Sequence, residues 1–438
     1  MHHAQPHKAK RINIVTLGCS KNQVDSEYLM GQLIFNGVDT SHEASFLPND
    51  TVVINTCGFI ESAKQQSIDT ILSAVESKKN GQIEKVIVTG CLSERYKKEL
   101  REEIPEVDAF YGSNEYKKLA KSLIPDFKKE LIGQRALTNP SHFAYLKISE
   151  GCDRPCSFCA IPLMRGNHKS KSMEELIIEA ENLANQGVKE LILIAQDSTY
   201  YGLDIYGQRK IAELCQRLTK VKGIEWIRIH YAYPSKFPMD LLTVMAKEPK
   251  ICNYIDIPIQ HSNQNVLKTM RRGISAQRLE NLLLQIKSEV PGITIRTTVM
   301  VGHPGEGPKE FEEMLEFVQK FKFGRLGVFE YSPEDGTHSH SLKDDVSKED
   351  KSKRAAQLME IQQQISLEEN IKRINQSLRV LVDRVEGDTA YARTEFDSPE
   401  VDNEVIINNG GNLKVGQFAE VLIVDAMEFD LIAKPIQE

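Results

Sequence analysis

The sequence predicts an α/β protein in three parts: an N-terminal parallel α/β domain, a central partial (β/α) barrel and a small antiparallel β-barrel at the C-terminal end. Three observations predict it. Short β-branched runs alternate with helical patterns through residues 1–137, the pattern of βαβ units around a parallel sheet. A longer strand–helix alternation fills residues 138–371. Residues 372–438 carry short strands separated by turn signals such as Glu386-Gly387-Asp388 and Asn408-Asn409-Gly410-Gly411. A chain of 438 residues accommodates two to four domains. Its 40% hydrophobic and 27% charged residues exclude global disorder. No apolar run reaches the ~18 residues needed to cross a bilayer, and the polar start from Met1 to Lys8 lacks the apolar core of a secretory signal. A cytoplasmic protein is therefore expected. His2, His3 and His7, beside Lys8, Lys10 and Arg11, read as a solvated tail rather than a metal patch.

In the first part, residues 11–17, 51–55 and 85–89 read as buried strands, with helices over 22–35 and about 62–76. A connector near Thr138-Asn139-Pro140 leads to candidate strands at 144–149, 190–195, 226–232, 254–257, 293–301 and 327–331. Helical patterns such as 173–185 and 276–288 lie between them. Repetition of this unit makes an open barrel whose chemistry belongs at the C-terminal ends of its strands. Residues 348–376 form a charged helix with Leu358, Ile361, Ile365 and Leu367 at helical spacing, which reads as a brace.

In a reducing compartment, the eight cysteines serve metals or catalysis rather than disulfides. Cys152-x3-Cys156-x2-Cys159 is the strongest signal, because three thiolates on one short loop can hold three irons of a cubane and leave the fourth open. A four-cysteine zinc site would need a further ligand that no nearby CxxC supplies; zinc is the alternative reading. Cys19, Cys57 and Cys91 are distant in sequence, yet each lies two residues beyond a predicted strand, in Leu17-Gly18-Cys19, Asn55-Thr56-Cys57-Gly58 and Thr89-Gly90-Cys91. A parallel sheet puts all three on one edge, where ligands bind, and the adjacent glycines permit close approach. Three independent buried cysteines are the alternative. Cys215 and Cys252 read as packing residues.

These residues resemble the radical S-adenosylmethionine superfamily, whose motif is this cysteine spacing with an aromatic residue before the third cysteine, here Phe158. The resemblance implies a 4Fe–4S cluster that chelates S-adenosylmethionine and cleaves it to a 5′-deoxyadenosyl radical, which abstracts hydrogen from unactivated carbon. Gly187-Val188-Lys189-Glu190 looks like the family's segment contacting the amino group. Val301-Gly302-His303-Pro304-Gly305-Glu306 looks like its glycine-rich strand end beside the nucleoside. Phe158, Glu190, Gly302 and Pro304 are the cofactor-binding candidates that follow, although each of the two segments also reads as a plain turn. His303 departs from the apolar aromatic usual at its position.

The whole arrangement is similar to the methylthiotransferases: an N-terminal domain over 1–137, a radical core with its bracing helix over 138–371, and an acidic TRAM-like domain over 372–438. The resemblance implies that Cys19, Cys57 and Cys91 bind a second, auxiliary 4Fe–4S cluster carrying the sulfur. It also implies an electron donor such as flavodoxin or ferredoxin, and a sulfur donor. The segments from Leu17 to Glu27, Ser149 to Pro162 and Ala195 to Gly202 look like the RimO branch, which modifies an aspartate β-carbon of protein S-twelve in the small ribosomal subunit. Modification of tRNA adenosine by the same chemistry is the alternative, and a metal-stabilised, non-enzymatic RNA-binding protein is a further one.

Charge bears on that choice. The segment from Arg379 to Glu438 holds 13 Asp/Glu against 5 Lys/Arg, whereas the whole chain carries only −7. Such a segment repels a phosphate backbone and attracts a basic ribosomal protein. Its aromatics Tyr391, Phe396, Phe418 and Phe429 could stack bases but read more readily as core. Among weaker candidates near the barrel mouth, Arg165 could pair with a substrate carboxylate, while Asp197 and His261 could contact substrate or cofactor.

Overall fold

A computed structural model describes residues 11–124, 133–138 and 140–436; the N-terminal histidines and Asn139 lie outside the described residues. The chain forms two compact units. One comprises Met1–Thr138, Glu150–Asp153 and Ala160–Lys169, and the other Asn139–Ser149, Arg154–Cys159 and Ser170–Glu438.

The first unit is built on a five-stranded sheet of β1 (Ile12–Thr16), β2 (Thr40–His42), β3 (Thr51–Thr56), β4 (Lys85–Gly90) and β5 (Ala109–Phe110), in the order β2-β1-β3-β4-β5. All four strand pairs are parallel. Helices α1 (Ser20–Phe35), α2 (Glu61–Lys79), α3 (Cys91–Glu103) and α4 (Tyr116–Leu123) accompany them. Alternate residues feed opposite faces. Val52, Ile54, Val86 and Val88 join one core with Ile71 and Leu92, while Ile12, Ile14, Val53 and Ile87 join another with Leu33 and Leu119. Burial of each such side chain contributes about 1.5–3 kcal/mol, which explains why these strands read as unbroken apolar runs. The edge strands β2 and β5 have three and two residues, too short for a period to show.

The second unit carries a six-stranded sheet of β6 (Phe143–Lys147), β9 (Glu190–Ile194), β10 (Trp226–Ile229), β11 (Ile251–Asp256), β12 (Thr294–Val301) and β13 (Arg325–Glu330). Successive strands are neighbours and every pair is parallel, which makes it an open β/α barrel. The two-residue strands β7 (Ser149–Glu150) and β8 (Lys169–Ser170) flank the cysteine loop in sequence, with α5 (Ile161–Arg165) after it. Helices α6 (Met173–Asn185), α7 (Leu203–Tyr206), α8 (Ile211–Leu218), α9 (Asp240–Lys247), α10 (Gln264–Thr269), α11 (Ala276–Glu289) and α12 (Pro308–Phe321) punctuate the strands. The brace α13 (Lys348–Ile371) starts at Ser347, whose side chain accepts from the Asp350 N–H, and it buries Leu358 and Ile365.

The terminal strands β14 (Ser377–Glu386), β15 (Thr389–Thr394), β16 (Val405–Asn408), β17 (Phe418–Ala426) and β18 (Leu431–Pro435) close into a barrel. Its pairs are antiparallel apart from β16–β18, which is parallel. The loop between β15 and β16 docks against the open barrel through buried ions. Arg325 Nε donates to Asp397 at 2.9 Å, Arg296 lies 3.3 Å from Asp402, and the Tyr254 hydroxyl donates to Asp402 at 2.7 Å. The Arg228 guanidinium donates to the Glu395 carbonyl at 2.7 Å, and Ser398 Oγ lies 2.9 Å from His230 Nε2.

Candidate metal centres

In the first unit, Cys19 and Cys57 lie in the loops beyond β1 and β3, Cys91 follows β4 directly, and these three strands are adjacent in the sheet. Cys19 is the exposed N-cap of α1, while Cys91 is buried at the start of α3. Asn22 ties the loops together. Its side-chain N–H groups donate to the Leu17 carbonyl at 2.7 Å and the Thr56 carbonyl at 3.0 Å, while its Oδ1 lies 3.7 Å from Cys91 Sγ. Ser67 clamps Cys57, accepting from its N–H at 3.0 Å and donating to its carbonyl at 2.9 Å.

The thiols share an electrostatic field. Burial pushes the Cys91 thiol up to about 12 against the pull of Arg165, and charge on Cys19 and Cys57 pushes the same way. Burial likewise raises Cys57, with Cys19 adding to the rise. Burial raises the packing residues Cys215 and Cys252 in the same way, so it is the shared placement at three adjacent strand ends that points to a metal-binding set. Glycine at position 18 lets Cys57 close in on the Cys19 loop: its φ is +92°, and a Cβ there would lie 2.8 Å from Cys57 Sγ. Among the described residues, no three His, Cys, Asp or Glu side chains converge on a single ion. Thiols spread along a sheet edge suit a polynuclear group, in which different thiolates take different irons.

The 152–159 loop is divided between the units, with Cys152 in the first and Cys156 and Cys159 in the second. The Cys152 N–H donates to the Gly166 carbonyl at 3.0 Å. Cys156 Sγ accepts from Arg272 Nη1 at 3.2 Å and lies 3.5 Å from the Tyr233 hydroxyl. Arg154 donates to Asp197 at 2.7 Å and lies over the Tyr233 ring at 4.1 Å. Ser157 donates to the Thr269 carbonyl and accepts from Ser339, each at 2.8 Å. The Phe158 ring meets His303 edge-on at 6.2 Å. His303 is fully buried with Nε2 2.8 Å from Ser339 Oγ, and burial lowers its pKa to about 4, so it is neutral.

The remaining predicted residues lie in the following settings. Glu190 opens β9, at the end of the strand opposite the mouth, where it is fully buried between Arg228 and Arg393, each at 2.7 Å. It ties Arg393 of the terminal barrel to Arg228 of β10, at the end of β9 away from the mouth. Arg165 is not available to a substrate carboxylate, since it is engaged by Asp25 at 2.7 Å, Glu150 at 3.0 Å, Asn22 and Cys91. Asp197 follows β9 at the mouth but is buried beneath Arg154 and accepts from Thr199. His261 is fully buried, accepting from the Asn263 N–H at 2.9 Å and lying 3.3 Å from Glu306. Gly302 and Pro304 do follow the C-terminal end of β12, and Gly302, with φ +74°, also makes way for the Lys351 side chain. Cys215 and Cys252 are buried packing residues. Sequence reasoning missed Asn22, Arg154, Tyr233 and Arg272; only Asn22, three residues beyond Cys19, and Arg154, two beyond Cys152, carried a local signal.

Residues 11–112 match the uncharacterized protein family UPF0004, residues 146–318 the radical SAM superfamily, and residues 374–436 the TRAM domain. The chain is 55% identical to a protein of Christiangramia forsetii named "Ribosomal protein uS12 methylthiotransferase RimO", over 98% of this chain and 95% of that one. It is 53% identical to a protein of the same name from Cytophaga hutchinsonii, over 99% and 100%. Among solved structures, the radical S-adenosylmethionine methyltransferase TsrM of Kitasatospora setae, with cobalamin and a [4Fe-4S] cluster bound, is similar in fold at a TM-score of 0.54. The two chains share 13% identity, over 74% of this chain and 75% of that one.

Proposed function

The chain belongs to the RimO family of ribosomal protein uS12 methylthiotransferases, and from that premise we propose that it inserts a methylthio group at the β-carbon of a uS12 aspartate, using S-adenosylmethionine and two 4Fe–4S clusters. The observation that carries the two-cluster reading is the second thiol set: Cys19, Cys57 and Cys91 on three adjacent strand ends, bracketed by Asn22. Cys152, Cys156 and Cys159 would hold the cluster that supplies the electron for S-adenosylmethionine cleavage, and the other three cysteines the auxiliary cluster that supplies the sulfur.

The chain's own residues shape the first of these sites. Arg272 donates to Cys156, the Tyr233 hydroxyl lies beside the same sulfur while donating to the Arg272 carbonyl, and Asp197 holds Arg154 close by. Phe158, backed by neutral His303, offers an apolar ring for the cofactor, and Gly302 with Pro304 the strand end beside it. A flavodoxin or ferredoxin would deliver the electrons, with a separate sulfur donor, in the cytoplasm.

Anaerobic reconstitution should yield about eight irons per chain, and fewer than five would sink the two-cluster reading. Reduced enzyme offered both uS12 and an anticodon stem-loop should place the methylthio group, read by mass spectrometry, on the protein. A modified RNA would overturn the substrate assignment while leaving the radical chemistry intact.

A further inference from the structure

We propose that Arg165 is a positioning residue for the auxiliary cluster, holding Cys91 in its ligating orientation and raising the cluster's reduction potential through an N–H to sulfur hydrogen bond. This rests on the two-cluster reading above. Arg165 Nε donates to Cys91 Sγ at 3.2 Å, and the residue is 3% exposed. Its fork is fixed on the remaining sides by Asp25 at 2.7 Å, by Glu150 at 3.0 Å and by Asn22 Oδ1, the same Asn22 that brackets the cysteine loops.

The two carboxylates partly offset the buried positive charge, and Nε aims an N–H directly at the Cys91 sulfur. Hydrogen bonds to the sulfurs and burial are the levers by which a protein sets an iron–sulfur potential, and outer contacts of this kind orient the ligand itself. A lysine keeps the charge but not the planar fork, so it cannot satisfy Asp25, Asn22 and Cys91 together.

The test uses the full chain with Cys152, Cys156 and Cys159 replaced by serine, which leaves the auxiliary cluster and about four irons. In this parent, Arg165→Lys should retain the irons, alter the electron paramagnetic resonance spectrum of the reduced cluster, and move the midpoint negative. A tenfold change in the reduced-to-oxidised ratio corresponds to about 59 mV for one electron. Asp25→Asn keeps an acceptor for the guanidinium and removes a negative charge, so it should move the midpoint the other way. It also preserves a readout if Arg165→Lys fails to hold iron. Unchanged midpoint in both variants, or loss of iron in Arg165→Lys with an unchanged midpoint in Asp25→Asn, overturns the proposal. A parent holding no cluster refutes the two-cluster reading instead.

Discussion

Replacing Glu190 separates a cofactor-binding role from an anchoring one. In the structure its carboxylate spans Arg228 on β10 and Arg393 on β15, with no exposed surface on either Glu190 or Arg228. Burial pushes its pKa up, but Arg393 and Arg228 outweigh burial and hold it below the usual value. Glu190→Ala would leave two buried guanidinium groups without this partner, a loss that costs about 3–5 kcal/mol. At roughly 2–4 °C per kcal/mol for a folding unit of this size, the melting temperature should fall by about 6–20 °C. Glu190→Gln, which keeps an oxygen acceptor and loses the charge, should fall between. Since the depressed carboxylate stabilises the fold only while it is ionised, its contribution is present at neutral pH and is lost as pH falls through the acid range. The assay pairs thermal unfolding with equilibrium binding of S-adenosylmethionine to the reconstituted, still-folded variant at low temperature, where affinity should match the parent. An unchanged melting temperature with affinity down tenfold or more would put Glu190 at the cofactor and refute the reasoning.

Three further outcomes are expected. His303 is buried neutral with its pKa lowered to about 4, so the unfolded chain binds the extra proton between about pH 4 and 6.5. Stability from this group is therefore complete above that window and falls across it, by about 3 kcal/mol at most; His303→Phe should flatten the loss in a pH series of denaturant titrations. Gly90 has φ +97°, and a Cβ there would lie 2.5 Å from both Asn55 Oδ1 and the Thr56 carbonyl; Gly90→Ala should displace Cys91 at the start of α3 and drop iron from about eight to about four per chain. Asp425 and Glu428 are exposed on the terminal barrel; reversing both to lysine should slow association with uS12 by about tenfold at low salt and leave iron content unchanged, as stopped-flow mixing would read.

Most of the framework was legible because each layer follows a short-range rule. Parallel strands buried on both faces leave apolar runs, and loops beyond adjacent strands share an edge, so Cys19, Cys57 and Cys91 could be brought together from sequence distances of more than 30 residues. What stayed hidden are pairings with no local pattern. Glu190 lies 203 positions from Arg393, and Arg272 lies 116 positions from Cys156. A short glycine-containing turn before a strand resembles a cofactor motif in text. Only the strand's direction shows that Gly187 to Glu190 enters β9 at its N-terminal end, whereas Gln196 and Asp197 leave it at the mouth.

The acidic balance of the terminal segment shows the same limit and changes an argument. Counted along the chain, its charge points outward to a basic partner. In the fold, Asp397 and Asp402 are spent on Arg325 and Arg296, and Asp383 on Arg393. Glu395 accepts from the Asn253 N–H. What remains exposed includes Glu386, Asp388, Glu420, Asp425 and Glu428, interspersed with Arg379, Arg384, Lys414 and Lys434. That mixed surface repels a phosphate backbone far less than the bare count implies. The aromatics supply a better physical reason to disfavour RNA here. Tyr391 is covered by Arg384 at 3.7 Å, Phe396 by Arg373 at 4.1 Å, and Phe418 by Arg379 at 3.9 Å with Trp226 against its edge. Base stacking needs open ring faces, and each of these three rings has a cation over it, whereas Phe429 is exposed and is not a core residue. The acids thus secure the terminal barrel to the strands that lead to the site, and only the smaller exposed set is left to meet a partner.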